Sequence, residues 1–115
     1  MISDELKSKI LDFRKKRDWE KYHKPKDLAV SIVLEASELL ENFQWKTDED
    51  VAKMLKGKSK TAIEEEIADI AIYLTYLSHD LGIDLEKIMA MKLKKNSKKY
   101  PADKVRGSAK KYNEY

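Results

Sequence analysis

The stretch Leu28-Ala-Val-Ser-Ile-Val-Leu-Glu-Ala-Ser-Glu-Leu-Leu40 decides the fold, because it is apolar or small everywhere except at Glu35 and Glu38. At about 100° per residue, Leu28, Ile32 and Leu39 lie close to the direction of Glu35, and Val33, Ala36 and Leu40 take the far side. A helix apolar nearly all round is a covered helix, so two acids within it call for a reason. A second stretch repeats the pattern. Ile67-Ala-Asp-Ile-Ala-Ile-Tyr-Leu-Thr-Tyr-Leu77 carries one charge, Asp69, with Glu66 three residues before it. Ile63, Ile67, Ile70, Leu74, Leu77 and Leu81 form one stripe of that helix, and Glu66, Asp69 and Tyr73 form another roughly a quarter-turn away. On both helices the acids border the core.

The rest of the chain agrees with an all-α fold. Its 115 residues suit one domain spanning 1–115, with about 101–115 expected as a flexible tail. Three Gly and two Pro leave little for tight β-turns, and the absence of Cys excludes disulfide scaffolds, thiol catalysis and Cys-bound zinc or iron–sulfur clusters. No apolar run reaches the length of a membrane span, and Met1-Ile-Ser-Asp-Glu-Leu-Lys lacks the apolar core of a signal peptide, so a cytoplasmic protein without a membrane partner is expected. The net charge of +3 hides an asymmetry: between Lys92 and Lys111 there are nine Lys or Arg and one acid, Asp103. Such a segment meets phosphates, nucleic acid or an acidic partner, or is simply a solvated face.

Five helices are predicted. Ser3 caps the first, which runs to about Asp18 with Leu6, Ile10 and Phe13 as its apolar stripe. A connector from Trp19 leads to Pro25, which starts the second helix, running to about Asn42. Thr47 opens a short third helix that closes near Gly57. The fourth spans about Ser59 to Asp80 and stops where Gly82 takes the left-handed C′ position. Asp84 caps a fifth that lasts to about Lys99, and from Lys104 onward no firm periodicity is visible.

The chain therefore carries Glu-x-x-Glu and Glu-x-x-Asp, each pair on one face of a covered helix. If the two helices face each other, four carboxylates converge, and two like charges about 5 Å apart repel by roughly 3 kcal/mol at an effective dielectric near 20. Raised pKa values are one answer. Divalent cations bound by Glu35, Glu38, Glu66 and Asp69 are the simpler one, and all-oxygen ligands suit Mg²⁺ or Mn²⁺. A di-iron bundle needs Glu-x-x-His pairs on facing helices; Glu20-Lys-Tyr-His23 is a lone instance in a connector, and His79 does not follow a Glu by three. Lys92, Asn96 and Tyr100 fall in one row of the fifth helix, where they can engage phosphates and sugar or stand as solvated surface. Trp19 and Trp45 flank the acidic helix in connectors, placed to stack on a base or to close the core edge. His23, just before Pro25, can bond a base edge or close its turn.

Taken in order, these motifs resemble a known family. Arg17-Asp-Trp-Glu-Lys-Tyr-His-Lys-Pro, Glu35-Ala-Ser-Glu-Leu-Leu-Glu-Asn-Phe-Gln-Trp-Lys, Glu65-Glu-Ile-Ala-Asp-Ile-Ala-Ile-Tyr-Leu, Lys92-Leu-Lys-Lys-Asn-Ser-Lys-Lys-Tyr-Pro and Lys110-Lys-Tyr are similar to the MazG-like all-α nucleoside triphosphate pyrophosphohydrolases, and within them to the small dCTP pyrophosphatases. The resemblance implies a four-helix-bundle-like core in an oligomer. It implies Mg²⁺ at Glu35, Glu38, Glu66 and Asp69, and a (deoxy)nucleoside triphosphate substrate, dCTP or a modified dNTP, cut to monophosphate and pyrophosphate. Lys92, Asn96 and Tyr100 would hold phosphates and sugar, while Trp19, His23, Trp45 and Tyr73 would shape the base pocket. Glu38 would take the proton from water and Lys92 would stabilise the leaving pyrophosphate. Arg106, Lys110 and Lys111 would fold over the phosphates or stay in a loose tail. Members of this size are homo-dimers or homo-tetramers, and two helices this apolar need more cover than 115 residues supply.

Two other classes stay open at this point. One is a helical nucleic-acid-binding protein using Lys92–Lys111, although nucleic acid is not the expected partner. The other is a bundle that senses nucleotide without turning it over.

Overall fold

A computed structural model describes residues 2–107, and among these every regular element is helical. Ser3 Oγ accepts the Leu6 N–H at 3.1 Å and opens α1, Asp4–Lys16. A single 3₁₀ turn, Glu20–Tyr22, occupies the predicted connector. Pro25 sits in the first turn of α2, Pro25–Glu41, where its fixed φ suits helix and its missing N–H is not needed. Thr47 and Asp50 exchange side-chain and backbone bonds in a capping box that starts α3, Asp48–Met54. The long α4, Ser59–Asp80, ends with Gly82 at φ 67°. Asp84 then caps α5, Leu85–Lys99, and a short α6, Ala102–Val105, follows Pro101 although no periodicity announces it. Lys110 and Lys111 lie outside the described residues.

Residues 2–82 and 83–107 form two compact units, each described by itself. In the first, α2 packs along α4 and α1 docks on α4. Leu28, Ile63 and Tyr76 are buried there, worth roughly 1.5–3 kcal/mol apiece. α1 is fastened to α4 by polar contacts as well. The Tyr76 hydroxyl donates to the Ile10 carbonyl at 3.0 Å. Arg14, only 4% exposed, donates from Nη1 and Nη2 to the two carboxylate oxygens of Asp80, both at 2.7 Å.

Cover is one-sided. The Leu28–Ile32–Glu35–Leu39 face of α2 is buried or half-buried, whereas Val33 and Leu40 are 64% and 61% exposed. On α4, Ile63 is buried while Ile67, Leu74 and Leu81 are open. Among the described residues, the all-round cover expected of these helices is thus not supplied, with α4 the helix along which α2 packs most closely.

Candidate active site

The α2–α4 contact brings the predicted acids together. Glu35 and Glu38 are separated by one helical turn on α2, and Glu66 faces them from α4. One oxygen of each lies within 4.8 Å of the other two. The Oε2 atoms of Glu35 and Glu66 are buried and have no hydrogen-bond partner. Two carboxylates offer each other only lone pairs, so a proton or a cation has to stand between them. In the absence of a cation, sharing a proton with Glu66 is the main cause that raises the Glu35 carboxyl to about 7, with burial and the charges of Glu38 and Asp69 adding to it. Acceptors alone, crowded and partly cut off from water, fit a hard divalent cation. Asp69 does not belong to this close trio; it lines the cavity beside it.

That cavity, of about 380 Å³, opens next to Glu35 and is walled largely by aromatic rings. Of the predicted base-pocket residues, Trp19, His23 and Tyr73 line it, joined by Phe13 and Tyr76. His23 sits 5.3 Å from the Tyr76 ring and 6.2 Å from Tyr73, and the two tyrosines are 6.3 Å apart. Phe13 meets Trp19 edge-on at 5.8 Å, with the Arg17 guanidinium 3.7 Å above the Phe13 ring. Burial, seconded by Arg14, lowers the His23 pKa, so the imidazole is neutral at pH 7; its Nδ1 is buried and unpaired. A neutral imidazole offers one donor and one acceptor, which suits a base edge.

Of the remaining predicted residues, Trp45 belongs to the first unit, and Lys92, Asn96 and Tyr100 to the second, described by itself. Trp45 is 93% exposed, at a positive φ of 64° that is uncommon for a bulky side chain, and it does not line the cavity. Lys92 and Asn96 belong to α5, and the Tyr100 N–H caps that helix on the Asn96 carbonyl at 2.8 Å. Phe13 and Tyr76 were not anticipated as site residues. Tyr76 follows Tyr73 by one turn on α4, and Phe13 belongs to the apolar stripe of α1, so the local signal existed. What it lacked was the docking of α1 on α4. Among the described residues, no helix is long and apolar enough to cross a membrane.

Comparison with known proteins places this geometry. Residues 30–115 match the MazG-like family. The chain is 39% identical to Bos taurus dCTP pyrophosphatase 1 over 102 residues, 88% of this chain and 60% of that protein. It is 38% identical to the Homo sapiens dCTP pyrophosphatase 1 over 104 residues, 90% of this chain and 61% of that protein. It therefore spans about 60% of the length of the curated relatives it matches. A crystal structure of a pyrophosphatase from Archaeoglobus fulgidus superposes with a TM-score of 0.80 at 43% identity, covering 85% of this chain and 91% of that one.

Proposed function

From the premise that the chain belongs to the MazG-like family, we propose that it is a nucleoside triphosphate pyrophosphohydrolase. Its substrate is a deoxynucleoside triphosphate, with dCTP or a base-modified relative the first candidate, and its products are the monophosphate and pyrophosphate. The observation that carries this reading is the crowding of Glu35, Glu38 and Glu66 beside an aromatic cavity. An anionic triphosphate needs countercharge at its phosphates and a stacking surface at its base, and the two lie side by side.

Glu35, Glu38 and Glu66 would hold Mg²⁺ or Mn²⁺, with Asp69 completing the anionic set. The cation would offset the charge of the triphosphate and make a bound water more acidic. Glu38, the more exposed of the trio, takes the proton of the attacking water. The water oxygen bonds to the α-phosphorus as the bond to the α–β bridging oxygen breaks, and pyrophosphate leaves with that electron pair. Lys92 neutralises the leaving group, Asn96 and Tyr100 bond phosphate and sugar oxygens, and Trp19, His23 and Tyr73 contact the base. Trp45 reaches the base of a neighbouring copy. Its exposure, and that of Val33, Leu40 and Ile67, supports a homo-dimer or homo-tetramer in which further copies cover these faces.

The test is incubation with each of the four dNTPs and Mg²⁺. Pyrophosphate and monophosphate in equal amounts are expected. Orthophosphate alone, or no product from any of them, would refute the reading.

A further inference from the structure

We propose that Tyr76 is the floor of the base cavity and determines which nucleobase fits, and that the Arg14–Asp80 ion pair positions it. This inference rests on the pyrophosphohydrolase reading for the identity of the ligand. Tyr76 is 4% exposed, yet it lines the cavity, so its ring closes the pocket rather than flanking its mouth. Besides Tyr73, edge-on at 6.3 Å, three contacts hold the ring. Its hydroxyl donates to the Ile10 carbonyl at 3.0 Å, its face receives the Arg14 guanidinium 4.6 Å from the centroid, and His23 leans on it at 5.3 Å.

Arg14 is itself held. Both of its terminal nitrogens engage Asp80, and the two 2.7 Å bonds form a planar fork that fixes the guanidinium against the ring. Tyr76 and Asp80 stand one turn apart on α4, while Arg14 and Ile10 stand one turn apart on α1. The ring is thus held from α1 by Ile10 and Arg14, and Asp80, one turn further along the ring's own helix, holds Arg14. A wall made this rigid cannot retreat to admit a larger base, and rigidity is what turns a size difference into discrimination. The carboxylates close on one another through Glu35, Glu38 and Glu66, whereas the clamp is made by Ile10, Arg14, Tyr76 and Asp80, so a change at the floor is expected to act first on base choice.

Two variants of the full chain test this, Tyr76→Leu and Asp80→Asn, each checked for helix content by circular dichroism. Two quantities are read against wild type. One is the purine-to-pyrimidine ratio of kcat/KM across the four dNTPs with Mg²⁺. The other is the same ratio of affinities for the four deoxynucleoside monophosphates, measured by titration calorimetry without metal. Tyr76→Leu opens the floor and is expected to raise both ratios at least about tenfold. Asp80→Asn loosens the clamp and is expected to move them in the same direction by roughly two- to threefold, through KM rather than kcat. A folded Tyr76→Leu with both ratios unchanged overturns the proposal. If that variant does not fold, unchanged ratios in Asp80→Asn overturn it. A wild-type protein that binds monophosphates but releases no pyrophosphate refutes the catalytic reading alone, and the binding ratios then decide the floor. A wild type that neither binds nor turns over any of them overturns both.

Discussion

Glu35 on α2 and Glu66 on α4 meet carboxylate to carboxylate, each with one oxygen buried and without a hydrogen-bond donor. This is an unfavourable contact for the metal-free chain. Glu66→Gln supplies a donor and removes a charge, so the metal-free variant is expected to melt higher than wild type by roughly 3–6 °C, about 1 kcal/mol. Its melting temperature should also respond less to added Mg²⁺. Calorimetric scans with and without metal check both, and a lower melting point in the metal-free variant would contradict the repulsion.

The same contact sets a pH dependence. The Glu35 carboxyl titrates at about 7 in the folded chain, above its usual value of 4.5. The native state therefore holds a proton there that the unfolded chain has released. That contribution to stability is complete below about 4.5 and is lost as pH rises through about 7. Without metal, stability should decline between pH 5 and 8. Apparent affinity for Mg²⁺ should rise over the same interval, since cation and proton compete for the same oxygens.

Glu38→Gln keeps the size of the side chain and removes the proposed base. Turnover should drop by about 10²–10⁴-fold with the oligomer intact, read as pyrophosphate release alongside sedimentation. A variant within tenfold of wild type would move the base elsewhere.

Trp45→Ala should raise KM more than it lowers kcat, because a base loses a stacking partner while the carboxylates stay as they were. Its near-complete exposure predicts an unchanged melting temperature for the isolated chain. Kinetics identical to wild type would remove Trp45 from the site.

Asp80→Asn leaves Arg14 buried without its counter-charge, and a loss of about 2 kcal/mol is expected, with Asp80 itself a quarter open to water. Bonds from Arg14 hold the Asp80 carboxyl below its usual value of 3.8. The stability it contributes is therefore present above pH 3.8 and disappears as pH falls through its lower folded value. Adding Arg14→Met should recover most of the loss, and a double-mutant cycle from urea unfolding measures the coupling.

The helices and their ends were legible because they are set locally. Ser3, Pro25, Thr47, Asp84 and Gly82 each stand at the boundary their own backbone chemistry requires, and Glu-x-x-Glu places two acids on one face whatever surrounds the helix. The short helix at Ala102–Val105 was not legible, being one turn without a periodic signal. Nor was the role of Arg14. It stands in the basic run Arg14-Lys15-Lys16-Arg17, where nothing local distinguishes it, and its partner Asp80 is 66 residues away.

Sequence alone determined six of the features that matter here: α1, α2, α4 and α5 as helices, and an acidic pair each on α2 and α4. Periodicity fixes the angle of every side chain about its own helix axis, so a pattern read along one segment suffices. Tertiary structure decided which acids meet, why Glu66 rather than Asp69 closes on Glu35 and Glu38, and how Phe13, His23 and Tyr76 enclose one cavity. Those outcomes depend on the rotation and crossing of α1 and α2 against α4. They are set by packing between residues far apart in the chain, which no local period encodes.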